Sequence, residues 1–324
     1  MINFKVTASA VAFAALASTA YGQAAWPTKP ITFVVPSAPG GSTDYIARQV
    51  SEPLSKALGQ PIVIENRPGG AGNIGAEVAL RNGGDGYTFL VQYSGYHVGN
   101  PALFPGTMRW NPEKDYTGVA MLMRAPHVVA IGKDLPPNSM KELIEYGRKN
   151  ARGLSYASSG PGSIQHIAGE MLRERTHIPM THVPYKGSAP AMTDLISGQV
   201  DMIVTTPPTV MGHVQSGKVK VLAYTAAKRH PALPNVPTSA EAGFPGYEVE
   251  SWFALYAPTA TPKPIINKLS EAIKKVVESD AVRSKVEAQG AYATYMTPAQ
   301  LDAFTKKEMV AWADIIRTAK IKGE

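Results

Sequence analysis

Short apolar runs alternate with amphipathic stretches through the first part of the chain. The pattern predicts strands and helices in turn, at 31–36, 44–58, 62–65, 75–81 and 88–92. Strands separated by helices predict crossover connections, which place the strands parallel in one sheet. The first 125 or so residues therefore predict an α/β region.

A second set of alternating elements follows. Strands are predicted at 128–132, 154–157, 182–185, 202–205 and 219–225, and helices at 139–149, 164–175, 190–197 and 210–216. Gly153, Gly198 and Gly217 stand where a helix ends and a strand begins, the usual place for a glycine with positive φ. Asn138 or Ser139 is expected to cap the 139–149 helix. This region is α/β as well.

The last part of the chain has helices without a sheet of their own. A predicted strand at 251–257 is followed by amphipathic helices at about 263–279 and 298–320. These helices pack most economically on the first region, which makes that domain discontinuous, and two crossings between domains predict a hinge. Since 324 residues exceed the usual size of one core, we expect a first lobe from 23–125 and 251–324 and a second lobe from 126–250.

The N-terminus has the composition of an export signal. Lys5 precedes an uncharged, alanine-rich stretch at 6–20, which is too short to span a bilayer but fits a secretory signal. We expect a signal peptide at 1–22 with cleavage near Ala20-Tyr-Gly22, a mature chain that begins near 23–26, and an exported protein. The sequence has no cysteine, which excludes disulfides, thiolate metal sites and cysteine nucleophiles.

The chain is basic, with a formal net charge of +7. Lysine and arginine are scattered without a run or a patch interleaved with aromatic residues, so we expect no nucleic-acid partner. The charge balance favours anionic solutes in general. No cofactor is expected.

One local device occurs three times: a strand, a loop of small residues, and the start of a helix. It spans 31–44, 154–163 and 182–190. The first N–H groups of a helix have no partner within the helix and carry partial positive charge, so such a loop can hold an anion without a catalytic residue. Several such loops at one cleft would form a receptor for a carboxylate.

The first of these loops reads Pro36-Ser-Ala-Pro-Gly-Gly-Ser-Thr-Asp44. Gly40 and Gly41 permit positive φ and close approach of a ligand to the backbone. Ser42, Thr43 and Asp44 are suitable N-cap residues. The alternative is a turn that only caps its helix.

Two glycine-rich segments look like nucleotide motifs and fail on their context. Gly70-Ala-Gly72-Asn-Ile-Gly75 matches GxGxxG, but no acidic residue for a ribose lies between Asp85 and Glu113, so a tight turn is favoured. The segment 212–218 matches the start of a P-loop, but it runs from helix to strand and Val219 replaces the metal-binding hydroxyl.

The side chains near these loops leave several alternatives open. His97 and His166 lie nearest the loops as candidates to bond a ligand carboxylate, and the other five histidines are treated as structural. Tyr93, Tyr96, Tyr185 and Trp252 are pocket walls or core residues. Lys186 either adds charge to the site or points to solvent. His166 and Glu170 share one helix face, but no third ligand can be placed, so no metal is expected.

Several separate segments carry a family resemblance: Trp26-Pro-Thr-Lys-Pro-Ile, Pro36 to Asp44, Glu65-Asn-Arg-Pro-Gly, Asn73-Ile-Gly-Ala, Asp85-Gly-Tyr-Thr, Asn100-Pro-Ala-Leu, Tyr185-Lys-Gly and Gly198-Gln-Val-Asp201. In this order they resemble the Bug-type, TctC-like periplasmic solute receptors of the tripartite tricarboxylate transporter family. The resemblance implies a two-lobed, type-II periplasmic binding-protein fold (a Venus flytrap) in which each lobe is a mostly parallel sheet flanked by helices. It also implies closure over an organic carboxylate and delivery to a two-component membrane permease. We expect a monomer.

The resemblance also implies a set of ligand-binding positions, with backbone groups of two facing loops holding the carboxylate. The first lobe would supply Ala38, Pro39, Gly40, Gly41, Ser42, Thr43, Asp44 and Ser94. The facing lobe would supply Ser158, Ser159, Gly160, Ser163, Lys186, Gly187 and Ala189. His97, His166, Tyr185 and Thr205 complete the candidate set.

One departure from the family pattern bears on the solute. Relatives commonly have an acidic residue at the position of Thr205, where an aspartate could pair with a ligand ammonium. Thr205 and Thr206 cannot supply that charge. A dicarboxylate or an aromatic acid is therefore favoured over an amino acid.

The alternative function is an exported α/β hydrolase. Ser163, or Ser158, would be the nucleophile and His166 the base, because Ser163 and His166 are three residues apart on one helix face. The sequence offers no third residue to orient the base and no obvious oxyanion hole.

Overall fold

The computed structural model describes residues 26–318 and 321. The expected signal peptide and its cleavage region lie outside the described residues. The strands are β1 Ile31–Val35, β2 Ile62–Asn66, β3 Thr88–Tyr93, β4 Tyr116–Pro126, β5 Val128–Gly132, β6 Leu154–Ser158, β7 Met180–Pro184, β8 Met202–Thr205, β9 Val219–Tyr224, β10 Glu250–Pro258 and β11 Tyr292–Ala293.

Helices connect most of these strands. They are α1 Ser42–Leu58, α2 Asn73–Asn82, α3 Asn100–Leu103, α4 Met140–Lys149, α5 Ile164–Thr176, α6 Ser188–Ile196, α7 Pro207–Gln215, α8 Lys263–Val277, α9 Asp280–Ala288 and α10 Pro298–Thr318. A 3-10 turn at Gly70–Gly72 precedes α2, and a π-helical segment at Gly95–Gly99 precedes α3.

The strands form two separate sheets, one for each lobe. The sheet of lobe 1 has the order β11-β4-β10-β3-β1-β2, and the sheet of lobe 2 has the order β7-β6-β8-β5-β9. The expected two-lobed α/β fold is confirmed, but the sheets are mixed rather than mostly parallel. β10 pairs antiparallel with both of its neighbours, and so does β5.

The chain's path between the lobes explains this mixture. β5 enters lobe 2, and β10 re-enters lobe 1, directly from a crossing between lobes. Each therefore runs away from the cleft, whereas the strands that end in a loop and a helix run toward it. Parallel pairs form only between strands that run toward the cleft, such as β1 with β3 and β6 with β8.

The two crossings lie side by side and form the hinge. His127 alone separates β4 from β5, and its N–H donates to the Val249 carbonyl at 2.9 Å. Thr225 N–H donates to the His127 carbonyl at 2.9 Å, and Val249 N–H donates to the Thr225 carbonyl at 3.2 Å. Three segments are thus tied together where the lobes meet.

The core of lobe 1 explains how the terminal helices are held. Ile46, Val50 and Leu54 form the buried face of α1, and Leu269 and Ile273 form that of α8. Both helices contribute to one apolar cluster with the strands of lobe 1. α10 likewise contacts β4. The C-terminal helices therefore pack on lobe 1.

Candidate ligand-binding site

A cavity of about 30 Å³ lies between the lobes, and we call it the inner cavity. Three strand-loop-helix units and the two crossings meet there, because the strands that run toward the cleft deliver their loops to it. Its lining residues are Ser37, Gly41, Ser42, Thr43, Tyr93, Tyr96, His127, Ser159, Gln165, Gly187, Ser188, Thr206, Ser251 and Phe253.

The first loop leaves β1 and enters α1 through two glycines of different conformation. Gly40 has φ +89°, a left-handed conformation that favours glycine. Gly41 is the N-cap of α1 and is extended, with φ −85° and ψ 170°. Of the two glycines that permit positive φ, only Gly40 adopts it.

Asp44 shapes this loop, although it is not the N-cap that the sequence suggested. Its buried carboxylate accepts hydrogen bonds from Gly40 N–H at 3.0 Å, from Arg48 Nε at 2.9 Å and from Asn66 Nδ2 at 3.0 Å. Burial by itself would raise the pKa of this carboxyl, but these hydrogen bonds and the charge of Arg48 lower it below its ordinary value. The charged form holds the loop in shape.

The second loop, after β6, is supported by two histidines. Ser158 Oγ lies 2.7 Å from His182 Nε2, and His166 Nδ1 accepts Gly162 N–H at 3.1 Å. The two imidazole rings stack with centroids 3.9 Å apart. Burial, with the nearby His166, lowers the pKa of His182 to about 3, so this ring is neutral at ordinary pH. His182 therefore supports the binding loop, as His166 does.

The third loop, after β7, meets the first loop directly. Gly187 has φ +118°, and a Cβ there would lie 3.3 Å from Ala38 N. A Cβ on Gly40 would lie 3.5 Å from the Cβ of Ala189. The loops of the two lobes are in van der Waals contact, so the structure is closed.

Hydrogen bonds across the cleft also hold it closed. Ser42 Oγ lies 2.7 Å from Thr206 Oγ1. Tyr96 donates its hydroxyl hydrogen to the Ser159 carbonyl at 2.8 Å, and Tyr93 Oη accepts Ile164 N–H at 2.7 Å. The N-terminus of α5 thus contacts a phenol of lobe 1.

Sequence reasoning missed several residues that line the inner cavity. His127 Nε2 lies 2.7 Å from Ser251 Oγ, and these residues come from the two crossings. Burial lowers the pKa of His127 to about 3. His127 is therefore neutral. The sequence offered one indication of this role, because His127 lies next to the predicted boundary between the two lobes.

Gln165 and Ser37 were missed for a different reason. Gln165 lies two residues beyond the second loop motif, and Ser37 lies within the first motif but before the positions assigned to the ligand. Gln165 Nε2 donates to Thr205 Oγ1 at 2.6 Å and to Ser188 Oγ at 2.8 Å. Among the described residues, Ser37 Oγ and Gln165 Oε1 are buried without a hydrogen-bond partner. Both are available to a ligand.

Some predicted site residues lie elsewhere. His97 is fully buried in lobe 1, where its ring stacks on Tyr256 at 3.9 Å beside Trp110. Burial lowers its pKa to about 3. Ser94 Oγ accepts Trp252 N–H at 3.2 Å. Because neither side chain lines the inner cavity, we withdraw His97 and Ser94 from the candidate set.

The remaining predicted residues surround the cleft. Gly41, Ser42, Thr43, Ser159 and Gly187 line the inner cavity, while Gly160, Tyr185 and Lys186 line a chamber outside it. Supporting positions are held by Ala38, Gly40, Asp44, Ser158, Ser163, His166, Ala189 and Thr205. Pro39 lies between Ala38 and Gly40 in the first loop.

The lining of the inner cavity is polar but uncharged. Within the described chain, no Asp, Glu, Lys or Arg side chain lines it, and its histidine is neutral. Hydroxyl and backbone N–H groups remain as donors. Such donors can bind a carboxylate by hydrogen bonds, as backbone groups at helix N-termini do.

A family model described as the receptor of the tripartite tricarboxylate transporter family, TctC, matches residues 46–321. The chain belongs to this receptor family. The BugT protein of Bordetella pertussis is 34% identical over 299 residues, which cover 92% of this chain and 92% of BugT. The Bug-type, TctC-like resemblance is thereby confirmed.

Solved structures agree with this TctC receptor along nearly its whole length. Rpa4515 of R. palustris, solved with adipate, has a TM-score of 0.88 and 38% identity and covers 92% of this chain and 99% of its own. MatC of Rhodopseudomonas palustris, solved with bound malate, has a TM-score of 0.83 and 34% identity and covers 90% of this chain and 100% of its own. The periplasmic binding-protein fold is confirmed. In the described part of the chain, none of the helices is both long and apolar enough to cross a membrane.

Proposed function

We propose that this protein captures an organic carboxylate by closing its two lobes over it. The observation that carries the proposal is the inner cavity, which lies between the lobes and is lined by uncharged hydrogen-bond donors. A ligand that contacts both lobes binds the closed form better and shifts the population toward it. Related structures contain adipate and malate, which supports a carboxylate here.

The solute we propose is a dicarboxylate or an aromatic acid rather than an amino acid. An ammonium group needs a nearby carboxylate, and no acidic side chain lines the inner cavity in the described chain. Thr205 is bonded to Gln165 instead. A zwitterionic ligand would lose the hydration of its ammonium and find no carboxylate in the described lining to neutralise its charge.

The cellular role follows from the family. We propose an exported periplasmic protein that delivers its solute to a two-component membrane permease of the tripartite tricarboxylate type, and we keep the prediction of a monomer. Catalysis is not part of the proposal. Ser163 Oγ accepts the backbone N–H of His166 and His166 Nδ1 accepts Gly162 N–H, which are contacts of a helix N-terminus rather than of a nucleophile and its base.

The test is native mass spectrometry of the protein purified from the periplasm, followed by calorimetry with the acid identified. A discrete bound mass that is lost on denaturation, and that rebinds in calorimetry, would support a carboxylate receptor. If the protein purifies without a bound ligand, its melting temperature is measured with a panel of dicarboxylates, aromatic acids and amino acids. If no carboxylate raised the melting temperature, or if amino acids raised it most, the proposal would fail.

A further inference from the structure

A small apolar cluster joins the two lobes outside the inner cavity, and we call it the interlobe cluster. Leu103 of α3 and Ile316 of α10 come from lobe 1, and Ile167 of α5 comes from lobe 2. All three side chains are at most 6% exposed. They lie outside the three larger apolar clusters that fill the lobes, and none of them lines the inner cavity.

The sequence of α5 explains why one helix serves both lobes. Ile164, Ala168 and Leu172, spaced by four residues, lie on one side of the helix and are buried in a large apolar cluster with the strands of lobe 2. Ile167 and Met171 repeat this spacing on a second side and pack in the interlobe cluster. α5 therefore has one apolar side for its own lobe and another for lobe 1.

The C-terminal end of the chain reaches the same place from the other lobe. α10 has 21 residues and is therefore about 30 Å long. Its first half is buried on lobe 1 at Leu301 and Thr305, whereas Ile316 in its last turns meets lobe 2. Beyond the helix, Ile321 packs against the cluster, and its N–H donates to the Ile316 carbonyl at 3.0 Å.

The fit across the lobes is close where Leu103 meets the second binding loop. Gly162 has φ +71°, and a Cβ there would lie only 2.1 Å from Leu103 Cδ1. The leucine thus occupies the space that any other side chain at position 162 would need. This contact joins α3 of lobe 1 to the loop after β6 of lobe 2.

These contacts have an energetic consequence for closure. The cluster is built from both lobes, so separating the lobes exposes its side chains to water, and closing them buries the same apolar surface. That gain needs no ligand atom. Because the apparent dissociation constant scales inversely with the fraction of protein in the binding-competent form, such a gain tightens binding of every ligand by one factor.

We propose that the interlobe cluster favours the closed form independently of the ligand, and that Leu103, Ile167 and Ile316 are positioning residues that raise affinity for all solutes equally. This inference rests on the proposed function. It adds to it a control of closure by residues outside the binding site, including the C-terminal end of the chain.

Ile167→Ala tests the common factor. Succinate and adipate should both bind about tenfold more weakly in calorimetry, in keeping with the loss of most of one buried aliphatic side chain from the closed form. The melting temperature of the ligand-free protein should change little. Unequal losses for the two acids would place Ile167 in the ligand site, and no loss for either would overturn the inference.

Leu172→Ala is the matched control, because Leu172 lies on the same helix and is also 1% exposed, but faces the core of lobe 2. It should lower the melting temperature of the ligand-free protein and leave both affinities within about twofold, since its contacts persist in open and closed forms. A loss of affinity equal to that of Ile167→Ala would show that any damage to α5 weakens binding.

Ile316→Ala removes the partner from the opposite lobe. It should weaken both acids about as much as Ile167→Ala does, and the double variant should lose little more than either single variant, because the two side chains share one contact. Losses that multiply to about a hundredfold would show that the residues act separately and would contradict the interlobe cluster.

A thiol probe tests the cluster without any ligand. The chain has no cysteine, so Ile167→Cys and Leu172→Cys each introduce a single thiol. A maleimide should modify the ligand-free protein at least about tenfold faster at 167 than at 172, because only the former is exposed when the lobes open. Equally slow modification at both positions would overturn the inference.

The two arms separate this inference from the proposed function. If Ile167→Cys reacts as expected but no carboxylate of the panel binds the protein, the interlobe cluster stands and the carboxylate receptor fails. If carboxylates bind and both Ile167→Ala and Ile316→Ala retain the native affinity, the receptor stands and the interlobe cluster fails.

Discussion

At the scale of single residues, glycines decide how closely the facing loops approach. Gly187 lies against Ala38 across the cleft, and Gly40 lies against Ala189. Both glycines have positive φ, which a residue with a Cβ adopts at a cost. Each glycine thus allows the loops to approach in two ways: it adopts the required backbone conformation, and it lacks a Cβ that would fill the space between them.

Gly187→Ala is predicted to weaken ligand binding about tenfold. The added Cβ would lie 3.3 Å from Ala38 N, so it opposes closure in addition to straining the backbone. Gly198→Ala is the matched control, since Gly198 has φ +76° with open space around it. Both variants should lose on the order of 1 kcal/mol of stability. Equal affinity in the two variants, measured by calorimetry, would contradict a role for Gly187 in closure.

Asp44→Asn is predicted to lower the free energy of unfolding by about 1–2 kcal/mol at neutral pH, because the charged acceptor for Gly40, Arg48 and Asn66 is lost. Arg48 is half-exposed, which keeps the effect at the low end of the range for charged hydrogen bonds. The measurement is urea unfolding.

The pH dependence of Asp44 has a definite sign. The folded-state pKa of its carboxyl lies below the ordinary value of 3.8, so the extra stability is present above that pH and is lost as the pH falls through the lowered pKa. The stability difference between the native protein and Asp44→Asn should therefore shrink on acidification. A difference that stayed constant would show that the charge of Asp44 is not responsible.

At the scale of elements, the N-terminus of α5 joins the two lobes. Within the helix, Ser163 Oγ accepts the N–H of His166. Ile164 N–H donates to the hydroxyl of Tyr93 in lobe 1. A helix N-terminus has several unpaired N–H groups, so it can serve an intramolecular partner and a ligand together. The closed form depends on the hydrogen bond from Ile164 N–H to the Tyr93 hydroxyl.

Tyr93→Phe is predicted to favour the open form and to weaken ligand binding about fivefold. The substitution removes the acceptor for Ile164 N–H and keeps the ring that packs on Tyr96 and Phe253. A lost hydrogen bond of about 1 kcal/mol gives a change of this size. Tyr256→Phe, whose hydroxyl contacts Thr305 within lobe 1, should change stability alone. Calorimetry of both variants makes the comparison.

At the scale of the whole molecule, the hinge converts local contacts into closure. The crossings at His127 and Val249 are bonded to each other, so the lobes turn about one narrow region. A ligand bridging the lobes stabilises only the closed arrangement. Binding should therefore change both shape and stability.

Solution scattering is predicted to give a larger radius of gyration for the ligand-free protein than for the protein saturated with its acid. The saturated protein should fit the closed structure. The ligand at a hundredfold excess over its Kd should also raise the free energy of unfolding by about 2.7 kcal/mol. Identical scattering curves with and without ligand would argue against closure as the binding step.

Local pattern was sufficient for most elements. β8 is predicted at its observed bounds, Ser139 caps α4, and Gly153, Gly198 and Gly217 have the positive φ expected of them. These features depend on the spacing of apolar residues and on the capping residues within a short segment, so they can be predicted from the local sequence.

Four elements, α3, β4, α9 and β11, escaped that reasoning, and β4 and α9 show the reason. β4 is buried at nearly every position, so its apolar residues show no alternation between two faces. α9 follows α8 after Ser279, whose hydroxyl accepts Val282 N–H and starts a new helix where the amphipathic pattern ended. In both cases neighbouring elements, and not local period, fix the structure.

By itself, the sequence determined the α/β alternation, the loops that reach the cleft and the presence of an uncharged residue, Thr205, at the end of β8. Only the tertiary structure decided which histidine lines the cavity. His97 follows a recognised strand and is buried in the core, whereas His127 meets Ser251 at 2.7 Å across 124 positions of the chain. Such a pair exists because the two crossings lie side by side, and that arrangement follows from how the whole chain folds into two lobes.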